Sequence, residues 1–164
     1  MQRKGAAMMK DELVFAYGSN MDLAQMQERC PHSVLAPFVA EGRGWKLCFP
    51  RESIKRKGGV GSVVREEGSS VWGVVFCVSD RDLLRLDRFE GVAVNAYRRG
   101  MIELRKRDGQ PVNAWTYFAI PEGAGKFIPH RDYIDLYMRG AEHFELPEEY
   151  IGILKEIRAG AKQG

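Results

Sequence analysis

The amino-acid sequence predicts an α+β fold in a single domain, and three observations carry this prediction. Strand-like runs occur singly and in one long hairpin pattern, whereas helical patterns with their own capping residues stand between and after them. The chain has 164 residues, of which 45% are hydrophobic, so it can bury one core. No interior stretch has the composition of a linker. We expect a domain at residues 13–158, a flexible N-terminal extension at residues 1–12 and a C-terminal tail at residues 159–164.

The first predicted strand, residues 13–17, ends in the polar turn Gly18-Ser19-Asn20 and leads to a helix predicted at residues 22–29. A strand that ends just before a helix places free backbone N–H groups at one point, and a glycine there lets a ligand approach closely. Such a turn can bind a carboxylate or a developing oxyanion. The alternative is a tight turn in which Ser19 or Asn20 only caps the helix.

The next part of the chain predicts a bent sheet. Residues 34–41 and 45–49 have strand patterns, and the glycines at 42 and 44 between them permit a bulge or a corner. Residues 61–65 and 71–78 predict an antiparallel pair across a turn at residues 66–70. A basic loop, residues 51–57, lies between the predicted strands at residues 45–49 and 61–65. It is either a solvated face or an electropositive rim that attracts an anionic small molecule.

The helix that follows has unusual chemistry at its end. Ser79 is its predicted N-cap, with Asp82 completing a capping box, and the pattern ends in LDRFEGV. Glu90 therefore lies in the last turn, where the free carbonyl groups disfavour a negative charge, and Phe89 and Val92 can desolvate it. Both effects raise the pKa of a carboxyl, as acid–base catalysis near neutral pH requires. The alternative is a solvated glutamate beyond the helix end.

The strongest hairpin signal covers residues 97–107 and 112–120 around Asp108-Gly109. Two amphipathic helices follow, at residues 131–144 and from Pro147 onward. Tyrosines in these helices are more typical of a core than of a site.

Composition excludes several classes of function. The formal net charge of +3 is spread along the chain, which does not indicate nucleic-acid binding, and no apolar run reaches the roughly 20 residues of a membrane-spanning helix. The N-terminus lacks the apolar segment of a secretory signal. The three cysteines are too widely spaced for a disulfide framework or a zinc site. The three histidines lack the spacing of metal ligands, and we expect each to be a surface or capping residue. We therefore expect a cytoplasmic protein that needs no metal or cofactor.

An ordered set of motifs resembles the γ-glutamylcyclotransferase family and its AIG2-like members, from about residue 13 to about residue 157. These motifs are FAYGSN, VWGVV, LDRFEGV, strand tyrosines at 97 and 117, and a late P-x-x-x-Y followed by GA and LPEEY. The resemblance implies a small mixed β-barrel with flanking helices. It also implies an enzyme that converts a γ-glutamyl amino acid into 5-oxoproline and the free amino acid.

The resemblance assigns the catalytic role to Glu90. The α-amino group of the substrate would attack its own γ-carbonyl, and one carboxyl could remove the proton of the attacking ammonium and protonate the leaving nitrogen. The reaction is unimolecular, so an enzyme gains most by holding the flexible glutamyl chain in a reactive conformer. Substrate binding is assigned by the resemblance to Val14, Phe15, Ala16, Tyr17, Gly18, Ser19, Asn20 and Tyr133.

One position departs from the family pattern. The family has Pro-Ser-x-x-Tyr where this chain has Pro129 and Tyr133 with His130 in place of the serine. His130 could hydrogen-bond the leaving side of a different substrate or simply point to solvent.

The sequence leaves three functions open. They are a cyclotransferase on γ-glutamyl amino acids, a cyclotransferase on γ-glutamylamines or γ-glutamyl-protected intermediates, and a non-catalytic binding or interaction module. The partner in the enzymatic interpretations is a small γ-glutamyl molecule, and the sequence does not distinguish a monomer from a homodimer.

Overall fold

Five strands close into a barrel in the order β1-β3-β2-β4-β5 in the computed structural model, which describes residues 10–123 and 126–164. The strands are β1 Asp11–Ala16, β2 Leu35–Ser53, β3 Gly58–Ser79, β4 Tyr97–Lys106 and β5 Pro111–Ala119. The helices are α1 Leu23–Arg29, α2 Asp80–Phe89, α3 Arg131–His143 and α4 Glu148–Ala159. The predicted α+β class and the mixed barrel with flanking helices are confirmed.

The barrel is mixed because its closing contact is parallel. Strand β1 runs antiparallel to β3 but pairs in parallel with β5, where Val14 lies opposite Trp115. Strand β1 therefore lies between two partners, and its side chains from Val14 to Ala16 are buried. Burying such a row of apolar side chains is the main source of favourable folding free energy. The chain leaves the barrel at the C-terminal end of β1, where the candidate site lies.

The two longest strands replace four predicted segments. Strand β2 is continuous through the predicted bend and accommodates it by a register shift between Arg43 and Trp45. Residues 61–65 and 71–78 do not pair with each other, because both belong to β3 and pair with β2. The turn predicted at residues 66–70 is wrong: residues 66–69 have no partner in β2 and form a bulge, with Gly68 at φ +85°.

The chain ends also differ from the predicted bounds. Strand β1 begins at Asp11, two residues before the predicted domain start, and residues 1–9 of the predicted extension lie outside the described residues. In the C-terminal tail, the Lys162 N–H donates to the Pro129 carbonyl at 2.9 Å, and the Arg131 N–H donates to the Lys162 carbonyl at the same distance. The tail is therefore hydrogen-bonded to the start of α3.

No helix in the described part of the chain is both long enough and apolar enough to cross a membrane. Within the same residues, no group of three or more His, Cys, Asp or Glu side chains is arranged to hold a metal ion.

Candidate active site

The turn after β1 and the C-terminal end of α2 meet at a small cavity in one end of the barrel, which we call the inner cavity. Most of the predicted substrate-binding residues and Glu90 line it, together with residues of β3, β4, β5 and α3. The lining residues are Phe15, Ala16, Tyr17, Gly18, Ser19, Asn20, Gly61, Glu90, Tyr97, Thr116, Tyr117, Tyr133 and Tyr137. Val14 is absent from this set, and its side chain is buried in the hydrophobic core.

The polar turn does not cap α1. It forms one short 3₁₀ turn, Ser19–Met21, and α1 is capped by Asp22, whose Oδ2 accepts a hydrogen bond from the Gln25 N–H at 3.1 Å. Neither Ser19 nor Asn20 fills the capping role, so that alternative is wrong. Both side chains instead face the cavity and hydrogen-bond within it.

Asn20 holds Glu90 in place. The Asn20 Nδ2 donates to Glu90 Oε1 at 3.1 Å, and Asn20 Oδ1 accepts from Gln25 Nε2 and Arg29 Nη1, each at 3.0 Å. Gln25 Nε2 also lies 3.1 Å from Ser19 Oγ. The amide orientation of Asn20 is therefore fixed by donors on one side and the carboxylate on the other. Sequence reasoning missed Gln25 and Arg29, since only the fold of α1 back over the turn brings them here.

Glu90 is the C-cap of α2, one residue beyond the last turn in which it was predicted, and Gly91 next to it has the left-handed conformation, φ +70°, that ends helices. Burial is the main cause that raises the pKa of the Glu90 carboxyl above its usual value, and the nearby Asp87 carboxylate adds to it. The Arg29 guanidinium, 3.8 Å away, and the hydrogen bond from Asn20 oppose this rise in pKa. The result is a carboxyl whose proton affinity is raised although a cation lies nearby.

Tyrosine hydroxyls line another part of the wall of the inner cavity. The Gly61 N–H donates to the Tyr133 hydroxyl at 2.9 Å, and the Tyr97 hydroxyl donates to the Gly61 carbonyl at 2.7 Å. The hydroxyls of Tyr133 and Tyr137 lie 2.8 Å apart. Burial raises the pKa of Tyr133 and Tyr137, so both hydroxyls are neutral hydrogen-bonding groups. The prediction of core roles for tyrosines missed Tyr137, which packs in the core and also presents its hydroxyl to the cavity.

A second hydrogen-bonded group supports the wall beside Glu90. Tyr117 donates to Asp87 Oδ1 at 2.7 Å, and Asp87 also accepts from Arg99 Nε at 2.9 Å and Arg99 Nη2 at 3.3 Å. Asp87 precedes Glu90 by three residues, so both carboxylates lie on the same face of α2. The Tyr17 hydroxyl donates to the Tyr117 carbonyl. This wall is held by side chains from α2, β4 and β5.

Comparison with known proteins identifies the family. The model of the AIG2-like family matches residues 70–154. The mouse protein named gamma-glutamylcyclotransferase is 30% identical over 156 residues, covering 93% of this chain and 81% of that protein. The human protein of that name is 29% identical over 149 residues, covering 88% of this chain and 78% of the human protein. The chain belongs to the γ-glutamylcyclotransferase family. A solved γ-glutamyl cyclotransferase structure superposes with a TM-score of 0.82 at 27% identity, covering 89% of this chain and 87% of that one.

This γ-glutamylcyclotransferase family member has a second, larger cavity of about 370 Å³ beside the inner one, which we call the outer cavity. The two share Ser19, Glu90, Tyr97 and Tyr133. Part of the predicted basic loop forms its rim: Arg51 and Ser53 belong to the end of β2, while Lys55 and Arg56 lie in the following turn. The loop is therefore placed at the mouth of the site.

His130 is not at either cavity in this γ-glutamylcyclotransferase family member. It is the N-cap of α3, where its Nδ1 accepts from the Asp132 N–H at 3.1 Å, and its Nε2 lies 3.2 Å from the Gly164 carbonyl oxygen. Only 6% of His130 is exposed. The two roles given to His130 at this departure from the family pattern, a contact to the leaving group and a side chain in solvent, are therefore wrong, whereas the capping role expected of the histidines is confirmed for His130.

Proposed function

We propose that this protein is a cyclotransferase that converts a γ-glutamyl compound into 5-oxoproline and a free amine, with Glu90 as general base and general acid. Membership of the γ-glutamylcyclotransferase family supports the reaction. The observation that carries the role of Glu90 is its carboxyl, which lines the inner cavity with the side chain 18% exposed, has a raised pKa and has one oxygen held by Asn20.

The proposed reaction needs two proton transfers at neighbouring nitrogens. The α-ammonium group of the substrate must lose a proton before its nitrogen can attack the γ-carbonyl carbon and form the ring C–N bond. The original γ-amide C–N bond then breaks, and the leaving nitrogen takes up a proton. The raised proton affinity of Glu90 suits both steps, since a carboxyl of ordinary pKa is a weak base and is rarely protonated near neutral pH.

The turn at Gly18, Ser19 and Asn20 is proposed to bind the glutamyl half of the substrate. It joins the end of β1 to α1, and its side chains share a hydrogen-bond network with Glu90 through Asn20 and Gln25. We propose that the small inner cavity holds the glutamyl chain folded toward the reactive conformer, which is the main advantage an enzyme can give a unimolecular cyclisation. Tyr133 contributes a neutral hydroxyl at the boundary between the two cavities.

Val14 is assigned a different role from the one that the resemblance implies. Its side chain packs in the barrel core, one position along β1 from Phe15, which lines the inner cavity. We propose that it fixes the position of the strand end and does not contact substrate.

The free cysteines support the expectation of a reducing compartment such as the cytoplasm. Cys30 and Cys48 are buried, and Cys77 is partly buried. All three are free, as is typical of proteins kept in a reducing environment.

The test is release of 5-oxoproline from γ-glutamyl-alanine by the wild type and by Glu90→Gln. Gln keeps an oxygen that can accept the Asn20 hydrogen bond but cannot shuttle a proton, so we expect kcat to fall about 10²- to 10⁴-fold. Glu66→Gln, on the exposed bulge of β3, is the matched control and should keep wild-type kcat. Near wild-type turnover by folded Glu90→Gln would contradict the assignment.

A further inference from the structure

The outer cavity has more cationic than anionic side chains. Arg29, Arg51, Lys55 and Arg56 line it, against the two carboxyls Glu52 and Glu90. Glu52 lies 3.7 Å from Lys162 Nζ, so a cation outside the cavity lining already compensates its charge. Glu90 has a raised proton affinity and therefore carries less negative charge than an ordinary carboxylate at a given pH. The outer cavity beside Glu90 is thus electropositive.

The four cations differ in how far they are already engaged. Arg51 Nη1 donates to the Ile120 carbonyl at 3.0 Å, and Arg29 is shared between Asn20 and Glu90. Among the described residues, Arg56 Nη2 donates only to the neutral Gln25 Oε1, at 3.2 Å. Within residues 10–123 and 126–164, no carboxylate forms an ion pair with Arg56 or Lys55.

Arg56 is also held in place. Its guanidinium lies over the Tyr133 ring, 5.4 Å from the ring centroid, and its contact with Gln25 links it to the network that positions Asn20 and Glu90. A guanidinium stacked on an aromatic ring keeps its remaining N–H groups free to bind a carboxylate, often in bidentate fashion. Arg56 is therefore a fixed donor beside the catalytic group, unlike a mobile surface cation.

We propose that the outer cavity binds the leaving half of the substrate and selects leaving amines that carry two carboxylates, as an acidic α-amino acid does, with Arg56 as the specificity-determining residue. This inference rests on the proposed function, because it assigns the leaving side of the same reaction. One carboxylate would be bound by Arg56 and the second by Lys55 at the rim. A γ-glutamylamine, whose leaving group has no carboxylate, would leave both cations without a partner.

Three substrates that share the glutamyl half test the proposal. They are γ-glutamyl-ethylamine, γ-glutamyl-alanine and γ-glutamyl-glutamate, whose leaving amines carry none, one and two carboxylates; ethylamine is alanine without its carboxylate. Hydrogen bonds between charged groups favour binding by enough to expect kcat/KM to rise roughly 10-fold or more with each carboxylate. The readout is 5-oxoproline release.

The variants are Arg56→Gln and, as the matched control, Lys57→Asn. Lys57 loses the same charge one residue away, is exposed, does not line the outer cavity and has φ +60°, which asparagine tolerates. We expect the ratio of kcat/KM for γ-glutamyl-glutamate to that for γ-glutamyl-ethylamine to fall at least 10-fold in Arg56→Gln and to hold in Lys57→Asn. A ratio within one enzyme is unaffected by any loss of folded protein.

The outcomes separate the two proposals. Equal kcat/KM for all three substrates would overturn the acidic leaving-group site and leave the cyclotransferase reaction standing. If the wild type releases no 5-oxoproline from any of them, the proposed reaction fails. The affinities of the same three compounds for Glu90→Gln, measured by calorimetry, then test the acidic leaving-group site by binding alone. Affinity that rises with the number of carboxylates supports that site, and equal affinities overturn it.

Discussion

Gly61 offers a sharp test of how the inner cavity is packed. A Cβ built at Gly61 would lie 2.0 Å from the Tyr137 hydroxyl oxygen and 3.3 Å from its Cζ, whereas non-bonded atoms pack best at about 3.5–4.0 Å. Tyr137 is fully buried, and its ring packs edge-on against that of Tyr133. The variant Gly61→Ala must therefore displace the Tyr137 side chain or the α3 helix that carries it.

The expected cost has two parts. Forcing an extra methyl group into a well-packed interior typically costs about 1–3 kcal/mol. The displacement also breaks the Tyr133–Tyr137 hydrogen bond and strains the bond from the Gly61 N–H to Tyr133, at about 1 kcal/mol for each hydrogen bond lost. We expect Gly61→Ala to lower the free energy of unfolding by roughly 2–4 kcal/mol, and each kcal/mol to lower Tm by about 2–4 °C in a chain of this size.

Urea unfolding of four proteins measures this effect: wild type, Gly61→Ala, Tyr137→Phe and the double variant. Tyr137→Phe removes the oxygen that the new methyl group meets, so we expect the double variant to be more stable than the sum of the single changes predicts. Gly152→Ala in α4 is the control, since its Cβ would meet no atom within 4 Å and alanine favours a helix by about 0.5–1 kcal/mol. Wild-type stability of Gly61→Ala, or strict additivity in the double variant, would refute the packing argument.

Two further predictions follow from the pKa shifts. Because the pKa of Glu90 is raised in the folded state, its ionisation lowers stability as the pH rises from the usual carboxyl pKa through the folded one. Glu90→Gln should therefore be more stable than wild type at about pH 8 and equal to it at about pH 3, below the usual carboxyl pKa. Urea unfolding at the two pH values measures this. The same difference in the free energy of unfolding at both pH values would contradict the prediction. Burial raises the pKa of Cys30 to about 12 and that of Cys48 to about 11. Alkylation of both thiols by iodoacetamide at neutral pH should therefore be slow until urea unfolds the protein. Rapid labelling of either cysteine in the native protein, read by mass spectrometry, would show that burial does not control its reactivity.

The position of Glu90 at the end of α2 follows from local chemistry. Glu90 was placed at the end of α2 by a helix pattern that stops at a glycine, and Ser79 does cap that helix, accepting from the Asp82 N–H at 3.1 Å. The reciprocal half of the capping box is absent, because Asp82 instead accepts from the His32 N–H and the Ser33 hydroxyl in the loop before β2. A contact between distant segments replaced one that the local pattern favoured.

The parts that the sequence missed depend on closure of the barrel. Gly61, Tyr97 and Tyr137 lie far apart in the chain and meet only because β3, β4 and α3 converge at one end of the barrel. A tyrosine on an apolar helix stripe has the same sequence pattern whether its hydroxyl is idle or faces a cavity. The bulge at residues 66–69 was mistaken for a hairpin turn for a related reason: its composition is that of a turn, and only pairing with β2 on both sides shows that the strand continues.

The strength of the Arg29 contact decides whether Glu90 can act as both base and acid. A direct ion pair would lower the pKa of the carboxyl and leave it a weak base that is rarely protonated. Arg29 Nη1 instead donates at 3.0 Å to Asn20 Oδ1 and stands 3.8 Å from Glu90, while its guanidinium also lies over the Phe89 ring, 4.7 Å from the centroid. The Arg29 guanidinium thus contacts an amide, an aromatic ring and a carboxyl. Asn20 accepts a hydrogen bond from Arg29 and donates one to Glu90; Arg29 and this second hydrogen bond both lower the pKa of the carboxyl, but by less than burial raises it.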